Sequence, residues 1–209
     1  MTIKKNILST SEVKILLEYF KTRPYSKESY REIDGKNILL TRHKDSEYDQ
    51  KDSIVYKILH EKLYKILGKH EFDSGTLLES HYPFGLHVDT PQQFDIGSFY
   101  SHSTDTLRKN IAVLICLSED PLFNTVFFNY FTNVFDIPLD IEYVEVPNTK
   151  EADLSHLSPL YTKFSKSINI VDVYKWNIGD VFIWPRNQLH CSSNFLKSNK
   201  TKNALVLFF

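Results

Sequence analysis

The chain reads as an α+β protein, with a double-stranded β-helix (jelly-roll) core and N-terminal helices packed on it. Three observations point there. Two amphipathic helical stretches precede residue 70, and from Glu71 onward the apolar period shifts from that of a helix towards two. The aromatic content is high, at 14% with fifteen Phe and twelve Tyr, which favours strands. Helices followed by about eight short strands is the order expected when a sheet packs on N-terminal helices, and a double-sheet jelly roll closes such a set. At 209 residues the chain is long enough for one domain with a sizeable core. Residues 1–70 form its mainly helical part.

The first helix spans residues 9–20. Ser9 and Glu12 have the spacing of a capping box, Val13, Leu16, Leu17 and Phe20 recur at helical intervals, and Pro24 follows. A short apolar strand, Ile38 to Leu40, precedes a charged stretch that reads as a solvated loop. The second helix runs from Ser53 to Leu67 and meets a C-cap at Gly68. Strands are expected at Thr76–Tyr82, Ile111–Leu117, Thr125–Phe131, Val181–Trp184 and Ala204–Phe209, with Gly179-Asp180 as the turn before the fourth. Pro138, Pro147 and Pro159 interrupt residues 132–170, which read as an insertion or lid with a short helix at Glu151–Leu157.

A net charge of −1 and a pI of about 6.7 leave no whole-protein field to draw the chain to nucleic acid or anionic lipid. No stretch of 18 apolar residues and no signal-like N-terminus is present, so a cytoplasmic protein is expected. Cys116 and Cys191 lack disulfide or zinc-knuckle spacing, in keeping with a reducing compartment.

The chemistry is carried by a small number of residues. His190 lies between the last two strands, with Lys200 and Lys202 leading into the final one. Its metal-binding partners should come from another strand, and alternate residues of a strand project from one face, so a His-x-Asp pair is the natural source. Two such pairs occur where chance alone gives roughly one in a chain with eight His and 26 acidic residues, so the motif is weak by itself and context separates them. His43-Lys44-Asp45 sits in the charged stretch. His87-Val88-Asp89 follows an aromatic strand, with Pro83 and Gly85 allowing a bend just before it. Two His and one carboxylate occupy one face of a six-coordinate Fe(II) and leave three positions open.

Further residues bear on this site. Lys202 shares a strand face with Ala204, Val206 and Phe208, whereas Lys200 lies in a polar turn, so Lys202 is the better candidate for an anion contact. Trp176 and Trp184 read as core or pocket wall, and His102 and His156 as structural. His81 stands about 20 Å along the strand from His87 and so outside a shared ligand set. Arg186 is a candidate for substrate contact or charge pairing near the site. Ser192 and Asn194 either line the pocket or cap the loop.

The run His87-x-Asp89, then Gly179-Asp180 with an apolar strand, then His190, then Lys202 before Ala-Leu-Val-Leu-Phe, resembles the Fe(II)- and 2-oxoglutarate-dependent dioxygenases, in particular their prolyl 4-hydroxylase-like branch. Arg108-Lys109 before the Ile111–Leu117 strand adds to the likeness. The resemblance implies Fe(II) held by His87, Asp89 and His190, and 2-oxoglutarate chelating the iron with its distal carboxylate on Lys202. It also implies oxidation of a small molecule or an amino-acid or peptidyl side chain by O2, with release of succinate and CO2. Departures are Lys in place of the Arg of many relatives, and Leu77 where a tyrosine often contacts the co-substrate; Tyr82 and Ser80 are the nearer alternatives. Two other readings share parts of this pattern. One is a non-catalytic, cupin-like jelly-roll binding protein, and the other is a nucleic-acid repair dioxygenase, which the near-neutral charge disfavours.

Overall fold

The computed structural model of the chain describes residues 2–89, 110–131, 144–145, 152–157, 163–164 and 169–209. Its elements run β1 (Thr2–Lys4), α1 (Thr10–Lys21), β2 (Lys27–Ile33), β3 (Lys36–Asp45), α2 (Ile54–Leu67), β4 (Ser74–Ser80), β5 (Ile111–Cys116), β6 (Asn124–Phe131), β7 (Val144–Glu145), β8 (Lys163–Phe164), β9 (Ile170–Lys175), β10 (Val181–Pro185), β11 (Gln188–Ser192) and β12 (Lys202–Phe208). A seven-stranded sheet has the order β1-β10-β5-β12-β4-β3-β2, and a three-stranded sheet has the order β11-β6-β9; within both, every paired neighbour is antiparallel. β7 and β8 pair by themselves.

Side-chain alternation divides the large sheet into two faces. Leu77, Val113, Ile115, Val181, Leu205 and Leu207 point to one side, where they pack with Val13, Leu16 and Phe20 of α1 and Val55, Leu59 and Leu63 of α2. Ala112, Leu114, Cys116, Phe182, Trp184, Ala204 and Val206 point to the other, against Phe123, Phe127 and Trp176. A third cluster, including Val126, Phe128, Leu189 and Cys191, covers the back of the small sheet together with Val88, Ala152, Leu154 and Leu157. The arrangement is jelly-roll-like, and the space between the two sheets is where the candidate site lies.

Both helices start as their sequences dictate. Ser9 accepts from the Glu12 backbone while Glu12 accepts from the Ser9 backbone, and the α1 stripe buries Val13, Leu16 and Phe20. Ser53 caps α2, which ends at Gly68 with φ +70.

Three expectations change. The first 70 residues carry three strands as well as two helices. The strand foreseen at Ile38–Leu40 extends as β3 to Asp45, so His43-Lys44-Asp45 belongs to the sheet rather than to a solvated loop. Lys44 is only 5% exposed; its Nζ donates to Phe20 O at 2.7 Å and lies 4.3 Å from the Tyr25 ring centre. The described part of Glu151–Leu157 is a turn rather than a helix, braced by Asp153, which accepts from the Ser155 backbone at 2.9 Å. Most of 132–170, with residues 91–108, lies outside the described residues, as do His102 and Arg108-Lys109. No helix among the described residues is long and apolar enough to cross a membrane.

The Gly179-Asp180 turn ties the start of the chain to β10. Gly179 has φ +84, and its carbonyl accepts from the Ile7 and Leu8 backbones. Asp180, 2% exposed, accepts from Asn6 N at 2.9 Å and from Asn177 Nδ2 at 2.9 Å. A Cβ at position 179 would stand 2.1 Å from the Leu8 carbonyl oxygen, which is backbone and cannot swing aside. Gly179→Ala is therefore expected to destabilise the fold by about 2 kcal/mol or more, read from the midpoint of urea unfolding.

Candidate metal centre

His87 and His190, 103 positions apart in the chain, are joined by a two-way backbone pairing: each N–H donates to the other's carbonyl at 3.0 Å. In an antiparallel ladder such a pair projects its side chains to the same side. The two imidazoles consequently stand 4.2 Å apart, centre to centre. Asp89 follows two residues after His87, and its N–H donates to Arg186 O at 2.7 Å. One ligand atom from each of His87, Asp89 and His190 lies within 4.8 Å of the other two.

The chain reaches this geometry because β4 stops at Ser80 and Pro83 interrupts its ladder. The following segment is then held by Ser192, whose Oγ accepts from Phe84 N at 2.7 Å and whose N–H donates to Phe84 O at 3.3 Å. Of the two roles open to Ser192, this bracing is one it performs, and it also lines the cavity. Asn194 does not: it ties down the 152–157 turn through Asp153 O and Ser155 Oγ.

The donor atoms suit a cation. His87 Nδ1 donates to Gly85 O at 2.8 Å, and His190 Nδ1 donates to Gln188 O at 2.9 Å. Because each acceptor is a carbonyl, the hydrogen sits on Nδ1 and each Nε2 presents a lone pair. His190 Nε2 faces Asp89 Oδ2 at 3.5 Å. Burial, and then the neighbouring His87, lowers the His190 pKa to about 4, so a proton does not bridge the two at neutral pH and the contact is not an ion pair. Two imine lone pairs and a carboxylate thus converge, with the opposing charge left for a metal ion to supply. Trp184 Nε1 donates to Asp89 Oδ2 at 3.0 Å, and Phe127 stacks on the His190 ring at 5.6 Å, so neighbouring groups orient the ligands as metal sites require.

A cavity of about 480 Å³ opens from these residues between the sheets, with Leu114, Trp176, Val206 and Phe208 among its walls and Lys202 at its side. Lys202 is 3% exposed and has no carboxylate partner among the described residues. Its Nζ donates to Asn124 O at 3.0 Å and lies over the rings of Trp176, at 4.1 Å, and Phe195, at 5.4 Å. Burial lowers its pKa to about 7. The alternation argued from sequence holds, since Ala204 and Val206 share its inward face. Lys200, by contrast, is exposed and donates to Glu119 O.

Other expectations are resolved in part. Trp176 and Trp184 are pocket wall and core, and Trp184 also donates to Asp89. Ser80 lines the cavity; Tyr82 lines a neighbouring one of about 660 Å³ that shares His43, Phe84 and Gly85 with the first. His43, passed over in the sequence, therefore faces the mouth of the site, with Nε2 at 3.0 Å from Thr41 Oγ1. Strand alternation was the signal that could have found it. His156 braces Phe84 O at 3.1 Å, and the His81 backbone pairs with Leu40 O.

No family model matches the chain, and neither does any curated protein. Solved structures do. SnoK, a non-heme alpha-ketoglutarate (2-oxoglutarate)-dependent carbocyclase from nogalamycin biosynthesis, aligns with TM-score 0.58 and 13% identity over 99% of this chain and 77% of its own. SnoN, a non-heme alpha-ketoglutarate-dependent epimerase from nogalamycin biosynthesis, aligns with TM-score 0.56 and 9% identity over 99% of this chain and 76% of its own. HygX from Streptomyces hygroscopicus, with nickel, 2-oxoglutarate and hygromycin B bound, aligns with TM-score 0.55 and 12% identity over 98% of this chain and 80% of its own. At these identities the likeness is one of fold: this chain has the fold of non-heme, 2-oxoglutarate-dependent enzymes.

Proposed function

We propose that this chain is an Fe(II)- and 2-oxoglutarate-dependent oxygenase with a double-stranded β-helix core, acting on a small molecule by hydroxylation. The observation that carries the reading is the convergence of two Nε2 lone pairs and a carboxylate in one cavity with a buried lysine that has no carboxylate partner among the described residues. His87, Asp89 and His190 would hold the iron, and Lys202 the distal carboxylate of 2-oxoglutarate. The iron, with 2-oxoglutarate and O2, supplies an oxidant strong enough to take hydrogen from an unactivated carbon, at the cost of converting 2-oxoglutarate to succinate and CO2.

The protein's own part is binding, orientation and exclusion of water. Carbonyl partners on both Nδ1 atoms keep the imidazoles in the ligating tautomer, and the Trp184 indole fixes one oxygen of Asp89. The apolar walls strengthen the attraction between a carboxylate and the Lys202 ammonium. The adjoining 660 Å³ cavity, entered past His43 and Phe84, offers space for the substrate. A small-molecule substrate is favoured over a peptidyl one by HygX, which has the same fold and was solved with hygromycin B. The neighbours include a carbocyclase and an epimerase; of the oxidative C–H reactions open to such a site, hydroxylation is the simplest and is the one proposed here. The prolyl 4-hydroxylase-like branch is not the one these neighbours represent.

Fe(II)-dependent formation of succinate tests the reading directly. Asp89→Ala is expected to lower it by at least about 100-fold while leaving the melting temperature within a few degrees of the wild type. Metal and 2-oxoglutarate binding without succinate in any substrate screen would instead identify a jelly-roll binding protein. Failure of the wild type to bind either would overturn both.

Lys202 adds a pH signature. The other titratable groups around it do not change charge near neutrality: burial raises the Cys191 thiol to about 12 and the Cys116 thiol well above its usual value, and it lowers His156 and His190. Between about pH 7 and 10.5 the unfolded chain holds a proton on Lys202 that the ligand-free fold releases, so this group makes the fold more stable as pH rises through that window. A carboxylate beside Nζ favours the ammonium, so co-substrate binding takes up a proton and weakens with rising pH. The dissociation constant for 2-oxoglutarate is expected to rise by up to about tenfold per pH unit above 7, measured by calorimetry with Mn(II) in place of iron. Lys202→Met should flatten that slope, weaken binding by roughly 10- to 100-fold, and raise the melting temperature of the ligand-free protein at pH 7.

A further inference from the structure

Arg186 is 7% exposed, and a buried guanidinium is costly unless its donors are used. Here they are used in two directions. Nε donates to Asp89 O at 3.2 Å, and one terminal nitrogen donates to Asp73 Oδ2 at 2.6 Å. The guanidinium carbon lies 4.6 Å from the Phe208 ring centre. The backbone of the same residue accepts from Asp89 N at 2.7 Å, so Arg186 grips both polar groups of the Asp89 backbone. Two residues earlier, Trp184 holds the Asp89 carboxylate. Asp73 is itself fixed, because its N–H donates to Phe208 O at 2.9 Å, at the end of β12.

We infer that Arg186 is a positioning residue that sets the location of the Asp89 carboxylate, with Asp73 as its anchor on the large sheet. The inference rests on the metal-centre reading above. The two histidines are located by their mutual backbone bridge; Asp89 lies beyond that pair and needs another fixture. The stretch from Trp184 to Arg186 supplies it, at the point where the chain leaves β10 in one sheet for β11 in the other. A planar group that donates from Nε and a terminal nitrogen at once can link Asp89 to Asp73. A lysine ammonium can reach one of the two but cannot reproduce the fork.

The test is metal affinity, read by titrating the folded, metal-free protein with Co(II) and following its visible d–d bands, alongside melting curves. Arg186→Gln should bind Co(II) about 10- to 100-fold more weakly and shift the bands, because the carboxylate is no longer held in register with the two imidazoles. Arg186→Lys should fall between that variant and the wild type, restoring the contact to Asp73 alone. Asp73→Asn should weaken binding in the same direction, and combined with Arg186→Gln it should add no further loss, since both act through one linkage. A residue important only for folding would lower the melting temperature and leave the affinity of the folded protein unchanged; that result for Arg186→Gln overturns the inference. Should Arg186→Gln not fold, Asp73→Asn decides in its place, because Asp73 is partly exposed and its replacement is conservative in shape. Wild-type protein that fails to bind Co(II) overturns the metal reading itself, whereas wild-type binding that Arg186→Gln leaves unaltered overturns only the role of Arg186.

Discussion

The backbone pairing of His87 with His190 is the constraint on which the site depends. Two hydrogen bonds join segments separated by most of the β core, and they do so at one isolated bridge rather than along a ladder. An isolated bridge has no neighbouring rungs to share its cost, so its geometry must be imposed from both sides. β11 is held by β6, and the 84–87 segment is held by Ser192 and His156. Each brace is modest alone, about 1 kcal/mol for a hydrogen bond of this kind. Together they replace the register that a continuous strand would have enforced.

The same region is unfavourable electrostatically by design. A cluster of lone pairs sits at one end of an apolar cavity and an amine that has lost most of its affinity for a proton sits at its side. In a protein selected only for stability, hydrophobic replacements at His190 and Lys202 would be neutral or better. Their presence between two sheets otherwise filled with Leu114, Phe127, Trp176 and Val206 is what the proposed function accounts for, with a cation at one place and an anion at the other.

Much of this was legible in the order of residues. The capping box at Ser9 and Glu12, the Gly68 cap and the Gly-Asp turn are local signals, and local signals survive folding. The inward face of β12 followed from strict alternation, which separates Lys202 from Lys200. What escaped notice involves residues whose partners are remote. β2 is polar on both faces and offers no period to detect. His43-Lys44-Asp45 looks like a solvated loop because its charges are counted without their partners, yet Lys44 finds the C-terminal carbonyls of α1, a favourable place for a cation. Glu151–Leu157 has helical composition, but Asp153 captures the Ser155 N–H in a tight turn, the competition that keeps Asp and Ser out of helix interiors.

Arg186 illustrates the limit most clearly: its place near His190 marks it as a candidate for substrate contact or charge pairing, but nothing in the run Trp-Pro-Arg-Asn-Gln says that it is buried or which partners it takes. Its environment is created by Asp73, Asp89 and Phe208, none of them within 20 positions of it, and only the fold brings them together. Ligand residues announce themselves by type and spacing since coordination chemistry admits few alternatives. The residues that aim those ligands have no fixed type or spacing, and the choice depends on which partners packing brings within reach. The candidate metal centre is therefore legible in the sequence from the inside outward, with His87, Asp89 and His190 plain by type and spacing and their supports visible only once packing has set the distances.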